Sequence, residues 1–549
     1  MKIQLRTLSS LAKVFADESP KNPEYCNATM LKGEVFSFQT AYYLEAEGAV
    51  PVQIQLETEL ASVSVRMVGL VPAQMPAPGI ALSQAPTEYL RGAPGLFPDP
   101  LYPIPEGKIW MTPYQHRTLW VTVDGRTELP VGEHVITLRF IREADGEEMG
   151  AVSFSLTVLD QQLAEQKTFY TEWFHCDCLS TWYQVPMMSE AHWALIEKYA
   201  ATAAKNGINM LLTPVFTPAL DTAVGKERPT MQLVRVEKTA EEGYQFDFSL
   251  LGRWISMCHR VGIQYFEISH LFTQWGAAHA PKIMGYRNGS YVQLFGWDTD
   301  SLSSEYAEFL QSFLPQLTGY LKKQGVYEQC YFHLSDEPNK DNKDRYAACR
   351  QMIAPYLPEE RMMDALSDYA FYEEDLVKLP IVADDHIGPF LDHHVNPLWT
   401  YYCCGQVLHV SNKFIGQPSA TNRILGTQMF KYDVQGFLQW GYNFWYSALS
   451  DHPIDPFTTT DGDCVWPAGD PFCVYPGKDG PIESLRLLVF HEGLQDQRAL
   501  QQLAEKKGKA AVIALIEEGI EPITFTQFPR EETYLLKLRE KVNRALCEG

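Results

Sequence analysis

Short runs of alternating hydrophobic and polar residues fill the first 160 positions of the chain, separated by Gly, Pro and Asn. This pattern is typical of strands joined by turns and predicts a β-sandwich over residues 1–160, which we expect to support the site and not to carry catalytic groups. The segment Ala73–Pro113 is rich in Pro and Gly and is predicted to be a long ordered loop packed on the next domain. The predicted strands are Glu34–Tyr43, Val52–Glu57, Ser62–Val68, Thr118–Val123, Glu133–Phe140 and Ala151–Leu159.

From about Thr168 the pattern changes to strands that alternate with helices, which predicts a parallel sheet. Eight strand–helix units in roughly 340 residues fit a TIM-like (β/α)8 barrel over residues 165–505. The fold class is therefore multidomain, β plus α/β. The predicted barrel strands are Phe169–His175, Ile208–Thr213, Gln264–Ser269, Gln329–Leu334, Met362–Leu366, Ile381–Ala383, Leu398–Tyr402 and Gly436–Tyr442.

Helices are predicted where hydrophobic residues recur on one face between capping residues. The last two form a C-terminal helical extension, residues 506–549, expected to pack on the outside of the barrel. The predicted helices are Ser189–Asn206 with Ser189 as the cap, Leu250–Val261, Ser304–Lys323, Lys343–Tyr356, Arg423–Tyr432, a long helix opened by Pro481 and running to Glu505, Ala510–Glu518, and Pro529–Leu546.

The net charge of the chain limits the classes of partner that it can bind. The chain has 45 Lys and Arg against 68 Asp and Glu, a formal net charge of −23, which argues against nucleic acid or an anionic membrane as the main partner. The sequence contains no run of eighteen or more apolar residues, so no membrane-spanning helix is predicted. Arg6 and Lys13 interrupt the N-terminal apolar segment, so it does not resemble a secretory signal, and we expect a cytoplasmic protein. Oligomeric state is left open.

The 11 cysteines do not form a spaced framework. We expect reduced thiols, as is usual for a large cytoplasmic protein. Cys176 and Cys178 flank Asp177, but this spacing does not match a zinc knuckle. We therefore expect neither a metal nor another cofactor.

The chemistry is concentrated in the stretch from Tyr331 to Pro338. An apolar strand ends in two adjacent acids, Asp336 and Glu337, and Pro338 stops the extended run. Barrel enzymes present catalytic groups at the carboxyl ends of their strands. An adjacent Asp-Glu pair is usually a solvated surface feature, but its position after a buried strand favours a catalytic role here.

Aromatic, amide and acidic residues near other strand ends are candidates for binding a sugar, because the apolar face of a pyranose stacks on a ring. Each has a structural alternative: rings often plug the barrel mouth, and histidines often belong to the scaffold. The candidates are Glu172, Trp173, His175, His333, Tyr401, Tyr402, Trp440, Tyr442, Asn443 and Trp445.

Two adjacent acids on one loop do not readily stand on opposite sides of a glycosidic bond, as a direct two-carboxylate mechanism requires. They suit substrate-assisted hydrolysis, in which the 2-acetamido oxygen of the sugar attacks the anomeric carbon. Asp336 would then orient the acetamide, and Glu337 would be the general acid and base. Since two neighbouring carboxyls disfavour each other's ionisation, we expect Asp336 to be ionised while Glu337 carries the proton.

Five segments resemble glycoside hydrolase family 123 and the overlapping bacterial domain of unknown function 4091. The resemblance spans roughly residues 165–505, and the order of the segments is its specific feature. They are His333–Pro338, Trp399–Cys404, Gly436–Trp445, Asp470–Gly477 and Pro481–Arg486.

The resemblance implies a β-sandwich followed by a TIM-like barrel, and a retaining, exo-acting β-N-acetylgalactosaminidase without a cofactor. It places Asp336 and Glu337 in the roles given above and leaves Tyr401, Tyr402 and Tyr442 as candidates to bind the acetamido carbonyl. The expected partner is a glycan or glycoside. Two alternatives stay open: a glycosidase acting on a sugar without an acetamido group, and a non-catalytic carbohydrate-binding barrel.

Overall fold

The computed structural model describes residues 1–239 and 243–548. Its N-terminal part consists of two five-stranded sheets, with strands numbered here along the chain. In spatial order, the first sheet contains β1 (Lys2–Ser9), β3 (Val35–Glu45), β8 (Arg117–Asp124), β5 (Val63–Ala73) and β6 (Gly95–Pro103). The second contains β2 (Asn27–Lys32), β10 (Glu148–Gln162), β9 (Gly132–Arg142), β4 (Val50–Glu57) and β7 (Lys108–Met111).

Side chains from both sheets, among them Phe38, Leu119, Leu138 and Phe154, are buried in one hydrophobic cluster. This confirms the predicted sandwich and all six predicted strands. The sequence did not predict β1, β2, β6 or β7.

The prediction of a long loop over Ala73–Pro113 is wrong, because this segment contains a short helix and the strands β6 and β7. Both strands are at sheet edges. Pro98, Pro100 and Pro103 are tolerated in β6 because an edge strand does not need every backbone N–H for pairing. Proline content therefore concealed a strand in this segment.

The second part is a closed parallel barrel in which the last strand pairs with the first. All eight predicted strands are present, although several end earlier than predicted. The barrel strands are β11 (Phe169–Glu172), β12 (Met210–Thr213), β15 (Tyr265–Ile268), β18 (Cys330–His333), β19 (Met362–Leu366), β20 (Leu379–Ala383), β21 (Trp399–Tyr401) and β22 (Gly436–Gln439).

The loops after β12 and β15 carry a small four-stranded sheet that the sequence did not predict. A two-stranded hairpin precedes the long C-terminal helix. The sheet consists of β14 (Gly243–Asp247), β13 (Arg235–Thr239), β16 (Ile283–Arg287) and β17 (Ser290–Phe295), and the hairpin of β23 (Val474–Gly477) and β24 (Gly480–Glu483).

Most predicted helices are present within a few residues of their predicted ends. They are α3 (Glu190–Lys205), α4 (Ser249–Val261), α5 (Ser304–Gln324), α6 (Lys343–Ile353), α10 (Leu425–Lys431), α11 (Leu485–Lys507), α12 (Lys509–Ile516) and α13 (Glu532–Cys547). The sequence did not predict five further helices: α1 (Gly79–Gln84), α2 (Cys176–Tyr183), α7 (Ala370–Glu373), α8 (Gly388–Asp392) and α9 (Ser419–Arg423). None of the helices in the described residues is both long and apolar enough to cross a membrane.

Caps explain two of the helix starts. Ser189 accepts a hydrogen bond from the His192 amide at 3.3 Å, as predicted for α3. The prediction that Pro481 opens a helix is wrong: Pro481 lies in β24, and α11 begins after Ser484, whose hydroxyl accepts from the Leu487 amide at 3.2 Å.

The C-terminal helices do more than cover the barrel. Residues of α13, among them Leu535 and Val542, share a buried cluster with Leu31 and Trp120 of the sandwich and Val489 of α11. The predicted extension therefore contacts the sandwich as well as α11, and the sequence did not indicate the contact with the sandwich.

Candidate active site

The turn after β18 holds both acids and is anchored by its neighbours. The Asp364 carboxylate accepts hydrogen bonds from the backbone amides of Leu334 and Ser335 at 3.1 and 3.2 Å. The Glu337 amide donates to the Ala365 carbonyl at 3.1 Å, and Glu337 adopts a left-handed φ of 43°. The turn is therefore fixed by β19, and its strained residue is one of the two acids.

The acids open into a cleft of about 650 Å³, part of it open to solvent, at the carboxyl ends of the strands. Most of its wall is aromatic or aliphatic, which suits the apolar faces of a sugar ring. The lining residues are Trp173, Leu220, Asp221, Gln274, Trp275, Asp336, Glu337, Ala365, Tyr401, Cys403, Cys404, Leu438, Trp440 and Trp466.

The two acids have different surroundings. Asp336 is buried, with 9% of its surface exposed, whereas Glu337 is partly exposed. Tyr401 donates its hydroxyl to Glu337 Oε1 at 2.7 Å. Burial, and then the charge of Glu337, raise the pKa of Asp336 well above its usual range. A raised pKa favours the protonated form of Asp336. This differs from the prediction that Asp336 is the ionised member of the pair.

A buried chain of charged groups lies below Asp336. His333 is fully buried between Glu267, 2.5 Å from Nε2, and Asp364, 3.2 Å from Nδ1. Burial alone would lower the pKa of His333, but its hydrogen bonds to Asp364 and Glu267 outweigh burial and raise the pKa to about 10. His333 is therefore an imidazolium near neutral pH, and its positive charge favours ionisation of Asp336.

Five of the residues predicted for the site line the cleft: Asp336, Glu337, Trp173, Tyr401 and Trp440. The indole N–H groups of Trp173 and Trp440 each donate a hydrogen bond to a carboxylate. Trp173 Nε1 donates to Glu267 at 2.6 Å, and Trp440 Nε1 donates to Asp470 at 2.9 Å.

Four predicted binding residues are instead hydrogen-bonded parts of the scaffold. Glu172 pairs with Lys413 at 2.7 Å, and both are 1% exposed. His175 Nε2 is 2.9 Å from the Trp440 carbonyl, and burial lowers the His175 pKa to about 3. Asn443 bridges the backbone of His175, and His333 forms the buried chain described above. This corrects the prediction that Glu172, His175, Asn443 and His333 contact substrate.

Three predicted rings also lie outside the cleft. Tyr402 packs on the ring of Phe437 with centroids 4.8 Å apart, because successive side chains along a strand point to opposite sides. Tyr442 donates to the Tyr199 carbonyl at 3.0 Å, and Trp445 Nε1 donates to the Val474 carbonyl at 3.3 Å. These positions correct the prediction that Tyr402, Tyr442 and Trp445 bind substrate.

The sequence also missed several residues of the cleft. Asp221, Trp275 and Trp466 come from loops after β12, β15 and β22. The loop after β15 does carry a signal, a Trp-Gly pair a few residues beyond the strand end. Burial raises the pKa of Asp221 to about 6, against the hydrogen bond that it accepts from the Leu449 amide.

Within residues 1–239 and 243–548, no group of three or more His, Cys, Asp or Glu side chains is arranged to hold a metal ion. All 11 cysteines are free thiols.

A family model described as glycoside hydrolase 123, catalytic domain, matches residues 173–503, more than half of the chain. The chain belongs to glycoside hydrolase family 123. The match runs from the end of β11 into α11 and contains both acids, so the protein is identified as a glycosidase. No curated protein matches the sequence.

Among solved structures, the chain is similar to a family 123 glycoside hydrolase from Clostridium perfringens, described in connection with glycolipid glycan hydrolysis. The TM-score is 0.75 at 14% identity, covering 99% of this chain and 98% of that one, and at this identity the likeness shows the fold alone. β-Glucuronidases from Bacteroides uniformis and Ruminococcus gnavus reach TM-scores of only 0.30 and 0.31, at 9% and 10% identity. These cover 92% and 90% of this chain and 50% and 97% of their own.

Proposed function

We propose that this family 123 protein is a retaining exo-glycosidase that removes terminal β-linked N-acetylhexosamine, with N-acetylgalactosamine as the expected sugar. The observation that carries the proposal is the single turn that brings Asp336 and Glu337 to the same cleft. The acetamido group of the substrate supplies the nucleophile. The aromatic wall around the acids supports a sugar ring as the ligand.

In this mechanism, the acetamide N–H donates to Asp336, which orients the acetamido oxygen toward the anomeric carbon. Donation of a hydrogen bond favours the ionised form of Asp336, as does the buried His333 imidazolium. The proton of the acid pair then resides on Glu337, which gives it to the leaving oxygen and later accepts one from water. Tyr401 holds Glu337 at Oε1 and leaves Oε2 for this exchange.

The first test is the activity of two isosteric variants on an aryl β-N-acetylgalactosaminide. Glu337→Gln should lower kcat/KM by ~10³-fold or more, and Asp336→Asn by ~10²-fold or more, with the fold intact. Asp341→Asn, an exposed acid on the same loop, is the matched control and should keep wild-type activity. Activity near wild type in either of the first two variants would end the proposal.

One second candidate has an observation in its favour. Asp221 also lines the cleft, from a different loop, so Asp221 and Glu337 could act as nucleophile and acid on a sugar without an acetamido group. In that case Asp221→Asn would abolish activity, and aryl glycosides without the acetamido group would be cleaved. The proposed mechanism expects only a modest loss in Asp221→Asn and binding of a thiazoline mimic of the acetamido intermediate.

We also propose the cytoplasm as the location of the protein. The free thiols support this proposal, because disulfides are rare in reducing compartments.

The glycans of glycolipids should be tested as natural substrates, because the C. perfringens protein is described in connection with glycolipid glycan hydrolysis.

A further inference from the structure

Trp275 differs from the other rings of the cleft in its exposure. Trp173, Tyr401 and Trp466 are 3%, 4% and 7% exposed, whereas Trp275 is 49% exposed. All four line the same cleft. The first three therefore lie in the interior of the cleft, and Trp275 lies at its mouth. There the exposed indole face is available to contact a group that projects from the cleft.

The backbone that presents this indole is strained. Trp275, Gly276 and Ala277 have successive φ values of 57°, 126° and 55°. A left-handed conformation is unfavourable for a non-glycine residue, and such residues persist where the surrounding structure holds them. A Cβ at Gly276 would lie 2.8 Å from Asn342 Nδ2, so the turn is also closely packed.

Hydrogen bonds tie this turn to the acid turn. The Trp275 amide donates to the Asp336 carbonyl at 2.9 Å, and the Ser335 hydroxyl donates to the Thr273 carbonyl at 2.7 Å. Within the loop, the Ala277 amide donates to the same carbonyl at 3.2 Å. The backbone of Trp275 is thus held beside Asp336, the residue preceding Glu337, which is the proposed acid for the leaving oxygen.

We propose that Trp275 is the platform on which the leaving-group side of the substrate stacks, and that this group is a second pyranose ring. The inference rests on the proposed function, because an exo-glycosidase holds the terminal sugar in the interior and directs the leaving group to the mouth. A flat indole fits the apolar face of a pyranose. Trp275 therefore determines specificity for the leaving group and not for the sugar that is removed.

The test compares two substrates that differ in one ring. One is a disaccharide with terminal β-N-acetylgalactosamine, and the other is the alditol obtained from it by borohydride reduction, whose second sugar is an open chain. Both are assayed with wild type, Trp275→Phe and Trp275→Ala. Trp110→Ala, which removes a 68% exposed tryptophan from the sandwich, is the matched control. Binding of the thiazoline mimic, which has no leaving group, is measured for each protein.

Wild type and Trp110→Ala should prefer the disaccharide over the alditol by about 10-fold in kcat/KM. Trp275→Ala should lose this preference by slowing on the disaccharide alone, Trp275→Phe should keep part of it, and thiazoline affinity should stay within about 2-fold throughout.

Equal rates of wild type on the two substrates would overturn the inference alone. So would a Trp275→Ala variant that weakens both substrates and the thiazoline together, since Trp275 would then serve the terminal sugar. A wild type that neither cleaves the substrates nor binds the thiazoline would overturn the proposed function and the inference with it.

Discussion

Asp336 and Glu337 are neighbours in the chain but differ in burial. Asp336 is almost enclosed, above the His333 imidazolium, and Glu337 reaches the cleft beside the Tyr401 hydroxyl. The fold thus separates the roles of two similar acids by their surroundings, which is how carboxyl pairs acquire different tasks.

The raised pKa of Asp336 predicts a pH-dependent effect on stability. A carboxyl with a higher pKa in the folded state stabilises the fold below the ordinary Asp pKa of about 4, and this stability is lost as the pH rises through the folded value. Because the Asn of Asp336→Asn cannot ionise, this variant should have a higher melting temperature than wild type at pH 7–8. The gain in the free energy of unfolding should be about 1.4 kcal/mol for each unit by which the Asp336 pKa is higher in the folded than in the unfolded state.

Thermal melts of the empty protein between pH 4 and pH 8 measure this effect. The gain of Asp336→Asn should shrink toward pH 4, and Asp341→Asn should show no such trend. A gain that does not change with pH, or a loss of stability at pH 7–8, would contradict the cause assigned to the pKa shift. The same substitution is expected to stabilise the protein and to remove its activity.

At the scale of single elements, strand alternation decides which rings reach the cleft. In β21, Tyr401 faces the interior and bonds Glu337, whereas the next residue, Tyr402, faces outward onto Phe437. The β18 turn depends on its neighbours in a similar way, because β19 supplies the carboxylate and the carbonyl that hold it.

The two adjacent tyrosines provide a matched pair of variants. Tyr401→Phe removes the hydrogen bond that positions Glu337, and should lower kcat/KM about 10- to 100-fold. Tyr402→Phe should leave kcat/KM within about 2-fold of wild type. Steady-state kinetics on the aryl glycoside decide this, and equal losses in both variants would refute the orientation of β21.

Across the whole molecule, buried polar contacts join the sandwich and the barrel. Asp99 of β6 and Arg486 of α11 are 0% and 1% exposed and pair at 2.9 Å. Lys13, from the segment after β1, donates to carbonyls of the loop after β21, including Ile415 at 2.9 Å. That loop contains Cys403 and Cys404, which line the cleft. The sandwich therefore supports the loop that forms part of the cleft wall.

Breaking one of these links should be costly. Asp99→Asn leaves Arg486 buried without an opposite charge, and should lower the free energy of unfolding by about 3–5 kcal/mol. Asp17→Asn breaks a pair with Arg91 in which Asp17 is 71% exposed, and should cost under about 1 kcal/mol. Urea unfolding followed by tryptophan fluorescence measures both, and a similar small loss in the two variants would contradict the importance of the buried link.

Local patterns in the sequence were sufficient to predict the eight barrel strands, the sandwich, and the acids at the end of the fourth barrel strand. Hydrophobic periodicity and turn residues are properties of neighbouring positions, so they can be read along the chain. They also indicated Trp173, Tyr401 and Trp440, because a ring just past a strand end has a good chance of facing the barrel mouth.

Tertiary structure alone decided the rest of the site. Glu172 could not be assigned to the scaffold from sequence because its partner, Lys413, is far away in the chain. The charge of His333 depends on Glu267 and Asp364, which only the barrel brings together. Trp275 reaches the mouth through a strained turn tied to Asp336. Each of these three features depends on contacts between segments that are distant in the chain. Local sequence patterns do not show which distant segments meet, so they cannot predict the free energy of such contacts.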